Sequence, residues 1–232
     1  MLEVTLDRGV LAVAGTETAF AELMTTDLGR GDSAAAAGLL SDVSVRMTAE
    51  DRWERGFRIA AGVHVQAHKN RSILVEATAT VSDAAQMVLR NAYEHFLRNL
   101  PAASLYGDVE AVHQMRVGLR RLRAFRSVFR RVVGAAFSAE LEELQHLFAA
   151  LAEVRECDVF FESTFPLIRT QQLSPSDRAA FEVTARLHRA SAVGALRRVF
   201  DESDLARVVS SLALRLQGDG WRSHEQIGRA HV

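Results

Sequence analysis

The sequence predicts an α+β chain, with a β-rich N-terminal piece followed by an all-α antiparallel helical bundle. Three observations predict it. Leu2-Glu3-Val4-Thr5-Leu6 alternates apolar and polar residues, the period of a half-buried strand. From Val81 onward apolar residues recur at helical spacing, and no strand pattern interrupts them. The helical stretches are long and their connections short, which makes neighbouring helices antiparallel. The change of period near residue 80 sets the boundaries: a β domain over 1–62, a linker over 63–80 and a helical domain over 81–226.

In chain order, Leu2–Leu6 is a first strand, Asp7-Arg8-Gly9 a tight turn and Val10–Val13 the returning strand of a hairpin. Ala19–Asp27 is a third strand, closed by Gly29-Arg30-Gly31-Asp32. Ser33 caps a short Ala-rich helix to Leu40. Arg55–Ile59 reads as another strand. The linker shows no clear period. Ser82-Asp83 starts a helix through Asn99 that Pro101 stops. Asp108 opens the next, which runs to Val133 before Gly134. Further helices fit Ser138–Ala152, Arg155–Thr170, Ser176–Phe200 and Ser203–Leu216.

Composition narrows the function. The 232 residues carry a net charge of −1, so the chain as a whole is no generic polyanion binder. No apolar run reaches the roughly 18 residues of a membrane span, and the chain is expected to be cytoplasmic. Cys157 is the single cysteine and is read as an inert residue among apolar neighbours. His64 and His68 stand four apart without a third ligand, so no metal site is expected there. Gly29-Arg30-Gly31 is too short for a phosphate-cradling loop. Of the 28 basic residues only Lys69 is lysine, and the arginines cluster.

The cluster lies on one helix. Ala111–Ala135 contains no acid, one histidine and seven arginines. At about 100° per residue, His113, Arg116, Arg120 and Arg123 share a face, and Arg131 falls on it too. Met115, Leu119, Leu122, Phe125 and Phe129 take the roughly opposite face and anchor the helix. Like charges one turn apart repel each other. Negative charge must therefore come from outside the segment: from Glu110, Glu140, Glu142 or Glu143 on neighbouring elements, or from a ligand. Guanidinium is planar, permanently charged and bidentate toward phosphate. A row of guanidiniums suits a linear chain of phosphates better than one compact anion. Nucleic acid is disfavoured, because the segment lacks exposed aromatics interleaved with its arginines.

Val112-His113-Gln114-Met115-Arg116-Val117 followed by Arg120-Arg121-Leu122-Arg123 resembles the signature of the CHAD domain, a helical family named for its conserved histidine. Leu151-Ala152-Glu153-Val154-Arg155-Glu156-Cys157-Asp158-Val159 resembles that family's second motif, with Ala152 in place of the usual Gly and Glu156 in place of the usual Asp. The resemblance covers residues 81–216. It implies a basic helical bundle that binds inorganic polyphosphate, and binding rather than catalysis. It further implies His113, Arg116, Arg120, Arg121 and Arg123 as ligands, with Arg155 from the second motif. Asp158 is expected to orient an arginine. Arg186, Arg189 and Arg197 on a later helix extend the surface. The resemblance also implies a second, related helical half with its own His/Arg helix, which is not read in this sequence.

Leu2–Gly9 and Arg52–Arg58 resemble the latter half of a CYTH domain, a β-tunnel family that hydrolyses triphosphates with a divalent metal. The resemblance implies a partial tunnel here, with Mg or Mn expected only in an intact parent. The family's opening E-x-E-x-K strand is absent. Its later acidic strand survives only as Glu22 and Asp27, with Thr25 where a Glu is usual. No cofactor is expected of this stretch. The last six residues, Ile227–Val232, match the translation of a common sequencing adapter and are expected to be an artefact. Two other functions stay open: a fragment of a metal-dependent triphosphatase, and an Arg-rich bundle that binds a protein.

Overall fold

The computed structural model describes residues 2–13, 15–27, 50–168, 173–201 and 203–217. The predicted helix from Ser33 to Leu40 and the tail 227–232 lie outside these residues.

The N-terminal hairpin differs from its expected form. One strand, β1 (Leu2–Val13), pairs antiparallel with β2 (Thr16–Asp27). Asp7-Arg8-Gly9 is no turn: Asp7, Arg8 and Gly9 pair with Glu22, Ala21 and Phe20. Gly9 stays in the strand because the Phe20 ring lies over it. A Cβ there would stand 2.8 Å from the ring, an aromatic cover for a strand glycine. The reversal comes instead at Gly15, whose φ of 82° suits a two-residue hairpin turn. The predicted returning strand, Val10–Val13, is the end of β1, and the predicted third strand, Ala19–Asp27, is most of β2.

Arg55–Ile59 is helical, not extended. It belongs to α1 (Arg52–Ala60), and its start was written in the sequence. Asp51 accepts from the Trp53 and Glu54 amides at 2.8 Å each, while the Asp51 amide donates to Glu54, a complete capping box. Arg52 and Arg55 pair with Asp7 and Glu22 of the two strands. These ion pairs support a two-stranded hairpin that is marginal alone.

The helical part is built on an antiparallel pair. α2 (Val81–Tyr106) starts at Thr80, whose side chain accepts from the Asp83 amide. It runs through Pro101 and ends at Gly107, with φ of 59°. A mid-helix proline removes one hydrogen bond and costs about 3 kcal/mol or more. Here the extra turn buries Ala102 and Ala103 completely, and the Gly107 and Asp108 amides cap its last carbonyls. That burial and capping offset the break that Pro101 would otherwise impose.

Asp108 caps α3 (Val109–Val128), accepting from the Ala111 amide at 2.7 Å. Met115, Leu119, Leu122 and Phe125 are buried and Phe129 is partly so, as their face predicts. They pack with Leu89, Ala92 and Phe96 of α2. Gly118 lets the two backbones touch, since a Cβ there would meet the Phe96 amide nitrogen at 2.9 Å. The helix does not run on to Val133. Phe129 leaves helical geometry (φ −100°, ψ 20°), and a short α4 (Arg130–Val133) follows.

α5 (Ser138–Glu143) and α6 (Gln145–Val159) replace the two helices expected over Ser138–Ala152 and Arg155–Thr170. Nothing breaks the chain near Ala152, and fully buried Leu151 and Val154 carry one continuous face across it. α6 closes in a π turn, Phe160–Thr164, and a 3₁₀ turn, Phe165–Leu167. α7 (Pro175–Asp201) and α8 (Ser203–Gln217) complete the bundle close to their predicted spans. Tyr93 donates to the Val209 carbonyl at 3.0 Å and joins α8 to α2.

The connecting segment before α2 has no regular structure but is anchored. Asn99 accepts from the His68 amide at 2.8 Å and donates to the His68 and His95 carbonyls.

Candidate functional site

α3 presents the predicted arginine face. His113 and Arg116 are half-buried, and Arg120 and Arg123 are exposed. Among the described residues none of the four makes an ion pair. Glu156 acts on Arg116 through its charge without an ion-pair contact, and the other nearby acids have partners of their own. Glu110 accepts from Gln114, Glu140 pairs with Arg215 and Glu143 with Arg207. Glu142 stands 3.9 Å from Arg126.

An aromatic ring organises the stripe without neutralising it. Phe148 of α6 lies between Arg116 and Arg123, with each guanidinium carbon 4.9 Å from the ring centroid. A ring face attracts a cation but carries no net charge, so it braces the two arginines without supplying a counter-charge. Phe148 escaped the sequence reading. Its signal was weak: a phenylalanine beside the core residue Leu147, on a helix whose partner face only the fold reveals.

Arg116 is the strained member of the set. Burial, and after it the neighbouring Arg120 and Arg155, push its guanidinium below the usual range, opposed by Glu156. Its Nη1 is buried with no hydrogen-bond partner among the described residues. A buried, unpaired donor on a charged group is costly.

The other predicted residues divide. Arg121 points away from the stripe and lines a mostly apolar cavity of about 390 Å³ with Arg71, Asn70 and Phe129. The break at Phe129 interrupts the register that would have carried Arg131 onto the face. Arg155 borders Arg116 but donates to both carboxylate oxygens of Glu162, at 3.2 and 2.9 Å. Arg189 donates to Asp158 at 2.6 Å and to the Gly107 carbonyl at 3.0 Å. Asp158 thus orients an arginine, as expected. It is 3% exposed, and burial raises its pKa despite that partner. Arg197 donates to the Leu105 carbonyl at 3.0 Å, and Arg186 pairs with Glu182. Arg189 and Arg197 therefore staple α7 to the α2–α3 corner.

Two features lay outside the sequence expectation. A second cavity of about 380 Å³ adjoins the stripe, lined by Arg123, Arg126, Ser127, Arg130, Leu141, Glu142 and Gln145. Behind the stripe runs a polar chain. Gln114 donates to Glu110 at 2.7 Å, which leaves its carbonyl to accept from His95 Nε2 at 2.9 Å. His95 Nδ1 is buried without a partner, and burial lowers the His95 pKa. Cys157 is a buried free thiol whose pKa burial raises. No cluster of three or more metal-ligating side chains occurs among the described residues, nor any helix long and apolar enough to cross a membrane.

Fold and site together define a helical bundle that carries an arginine and histidine face on one helix. The CHAD domain family model matches residues 87–230, more than half of the chain, and the chain belongs to that family. It is similar to the crystal structure of the CHAD domain from the plant Ricinus communis, at 28% identity and a TM-score of 0.46. The match covers 64% of this chain and 52% of that one, so the chain spans about half the length of that protein. No curated protein matches it in sequence.

Proposed function

We propose that the α3 stripe binds inorganic polyphosphate, with His113, Arg116, Arg120 and Arg123 as the primary contacts. The observation that carries this reading is the unneutralised row itself: arginines one turn apart, without carboxylate partners among the described residues, two of them braced by Phe148. Successive guanidiniums along a helix match the repeating charge of a linear phosphate chain, and each offers a bidentate fork. Arg155, Arg189 and Arg197 hold internal partners and act as a frame. Arg121 lies aside and contributes only long-range attraction.

The test is titration of the whole chain with long-chain polyphosphate, against DNA and inorganic triphosphate, at near-physiological salt. The His113→Ala/Arg116→Ala/Arg120→Ala variant is the control. Polyphosphate is expected to bind more tightly than DNA, and affinity to rise with chain length. The variant should lose most of it, and its log-affinity slope against log salt should flatten by about one for each phosphate contact removed. Equal binding by a folded variant, or by DNA, would sink the reading. An acidic protein surface as ligand would show no dependence on chain length.

A further inference from the structure

The stripe is linear, but the cavity at its far end is concave. Arg123 belongs to both. Beyond it Arg126 and Arg130 close the cavity from α3 and α4, Ser127 and Gln145 add neutral donors, and Leu141 is the apolar wall. The volume, about 380 Å³, is that of a small-ligand pocket. Three cations face one carboxylate, Glu142, which is 65% exposed and reaches only to 3.9 Å from Arg126. Arg123 and Arg130 make no ion pair among the described residues. The cavity holds surplus positive charge in a concave space, where the stripe spreads it along a line.

A linear polyphosphate offers two kinds of phosphate. Internal units bear one ionisable oxygen. A terminal unit bears a second that titrates near neutral pH, as in a phosphate monoester, and it exposes three free oxygens to donors. A concave three-arginine cavity suits the terminal unit, and a straight stripe suits the internal ones. Resting on the polyphosphate reading above, we propose that the Arg123/Arg126/Arg130 cavity is an end-recognition subsite. It docks the chain's terminal phosphate while internal phosphates run along Arg120 and Arg116. Glu142 occupies the mouth as a weak internal competitor, so its carboxylate limits affinity.

The whole chain is titrated with one polyphosphate of defined length in two forms, with free ends and with both ends blocked as alkyl phosphoesters. In the wild type, blocking is expected to weaken binding roughly threefold to tenfold, the scale of an exposed ion pair or two. Arg126→Gln/Arg130→Gln, at exposed positions, should abolish that difference while the blocked chain still binds. Glu142→Gln should tighten the free-ended chain roughly twofold to fivefold. Blocked and free chains binding alike to the wild type would overturn the subsite, and so would no gain from Glu142→Gln. Those failures leave the stripe standing if the His113/Arg116/Arg120 variant still loses binding. If that variant binds normally, both readings fall.

Discussion

Replacing Phe148 by leucine tests whether the stripe is built in advance or assembled by its ligand. Leucine keeps an apolar side chain against Leu147 and the core but removes the ring face. Two guanidiniums lose a contact at 4.9 Å. Each contact contributes about 0.5–1 kcal/mol when exposed and about 2 when desolvated. Arg123 is exposed and Arg116 is half-buried, so the first figure applies to one and a value toward the second to the other. Freed of the ring, both side chains must be ordered on binding, at about 0.5–1.5 kcal/mol each. Because some order remains from helix packing, the net loss is about 1–2 kcal/mol, or roughly five- to thirty-fold in Kd. Calorimetric titration with polyphosphate reads it, and circular dichroism checks the fold. Phe148→Tyr keeps the ring face and should bind like the wild type. If Phe148→Leu is folded and binds equally well, the ring does not organise the arginines and the argument from preorganisation is wrong.

Gly118→Ala should destabilise the fold. A Cβ meeting the Phe96 backbone at 2.9–3.0 Å costs about 1–3 kcal/mol in overpacking, against about 1 kcal/mol gained in helix propensity. The urea midpoint should fall, and an unchanged midpoint would mean the helices separate freely. Asn99→Ala removes three hydrogen bonds, each contributing about 1 kcal/mol. It should expose residues 63–80 to limited proteolysis, and wild-type resistance would refute the anchoring role. His95 gives a pH dependence. Its folded pKa lies below the ordinary 6.5 because burial disfavours the charged ring, so the unfolded chain takes the proton first. The stability it contributes is complete above pH 6.5 and is lost as the pH falls below that value toward the folded pKa. Denaturation midpoints should drop between pH 7.5 and 5, and His95→Gln should shrink the drop. An equal drop in both would assign it to other groups.

Much of α3 was legible. Its anchors, Met115, Leu119, Leu122 and Phe125, follow from helical period alone, and so does the shared face of His113, Arg116, Arg120 and Arg123. What sequence could not give was set by partners far along the chain. Phe148 lies on another helix, and its role depends on how α6 meets α3. Arg189 and Arg197 read as surface cations, yet their donors find Asp158 and two backbone carbonyls that only the α2–α3 corner brings near. Pro101 is a sound stop signal that burial of Ala102 and Ala103 overrides. The break at Phe129 has no glycine or proline to announce it. The Asp51–Glu54 capping box marks a helix start in the sequence itself and outweighs the strand-like look of Arg55–Ile59.

The distribution of partners argues for function more strongly than the count of arginines does. The chain is nearly neutral, with acids enough to pair many cations. Outside the stripe, arginines in the hairpin region, α6, α7 and α8 do pair: Arg52, Arg55, Arg58, Arg155, Arg186, Arg189, Arg207 and Arg215 all reach a carboxylate. Other arginines, such as Arg71, Arg90, Arg98 and Arg198, make no ion pair among the described residues either; what sets α3 apart is that its unpaired cations share one face and include the half-buried Arg116. A solvated basic face of no consequence would not need Arg116 held half-buried with an unsatisfied Nη1, nor an aromatic ring to brace it. Desolvation and like-charge proximity both raise the free energy of the empty site. An anion that enters relieves both at once, which makes the cost of the bare stripe a source of binding energy. The same logic predicts that Arg116→Gln weakens polyphosphate binding while costing the free protein less than the roughly 2 kcal/mol its ring contact contributes, because the buried charge is lost with the contact. Thermal denaturation and titration of one variant decide it. A variant destabilised by more than about 2 kcal/mol, the scale of the ring contact, would mean that Arg116 is a structural cation, and the stripe would lose its central member.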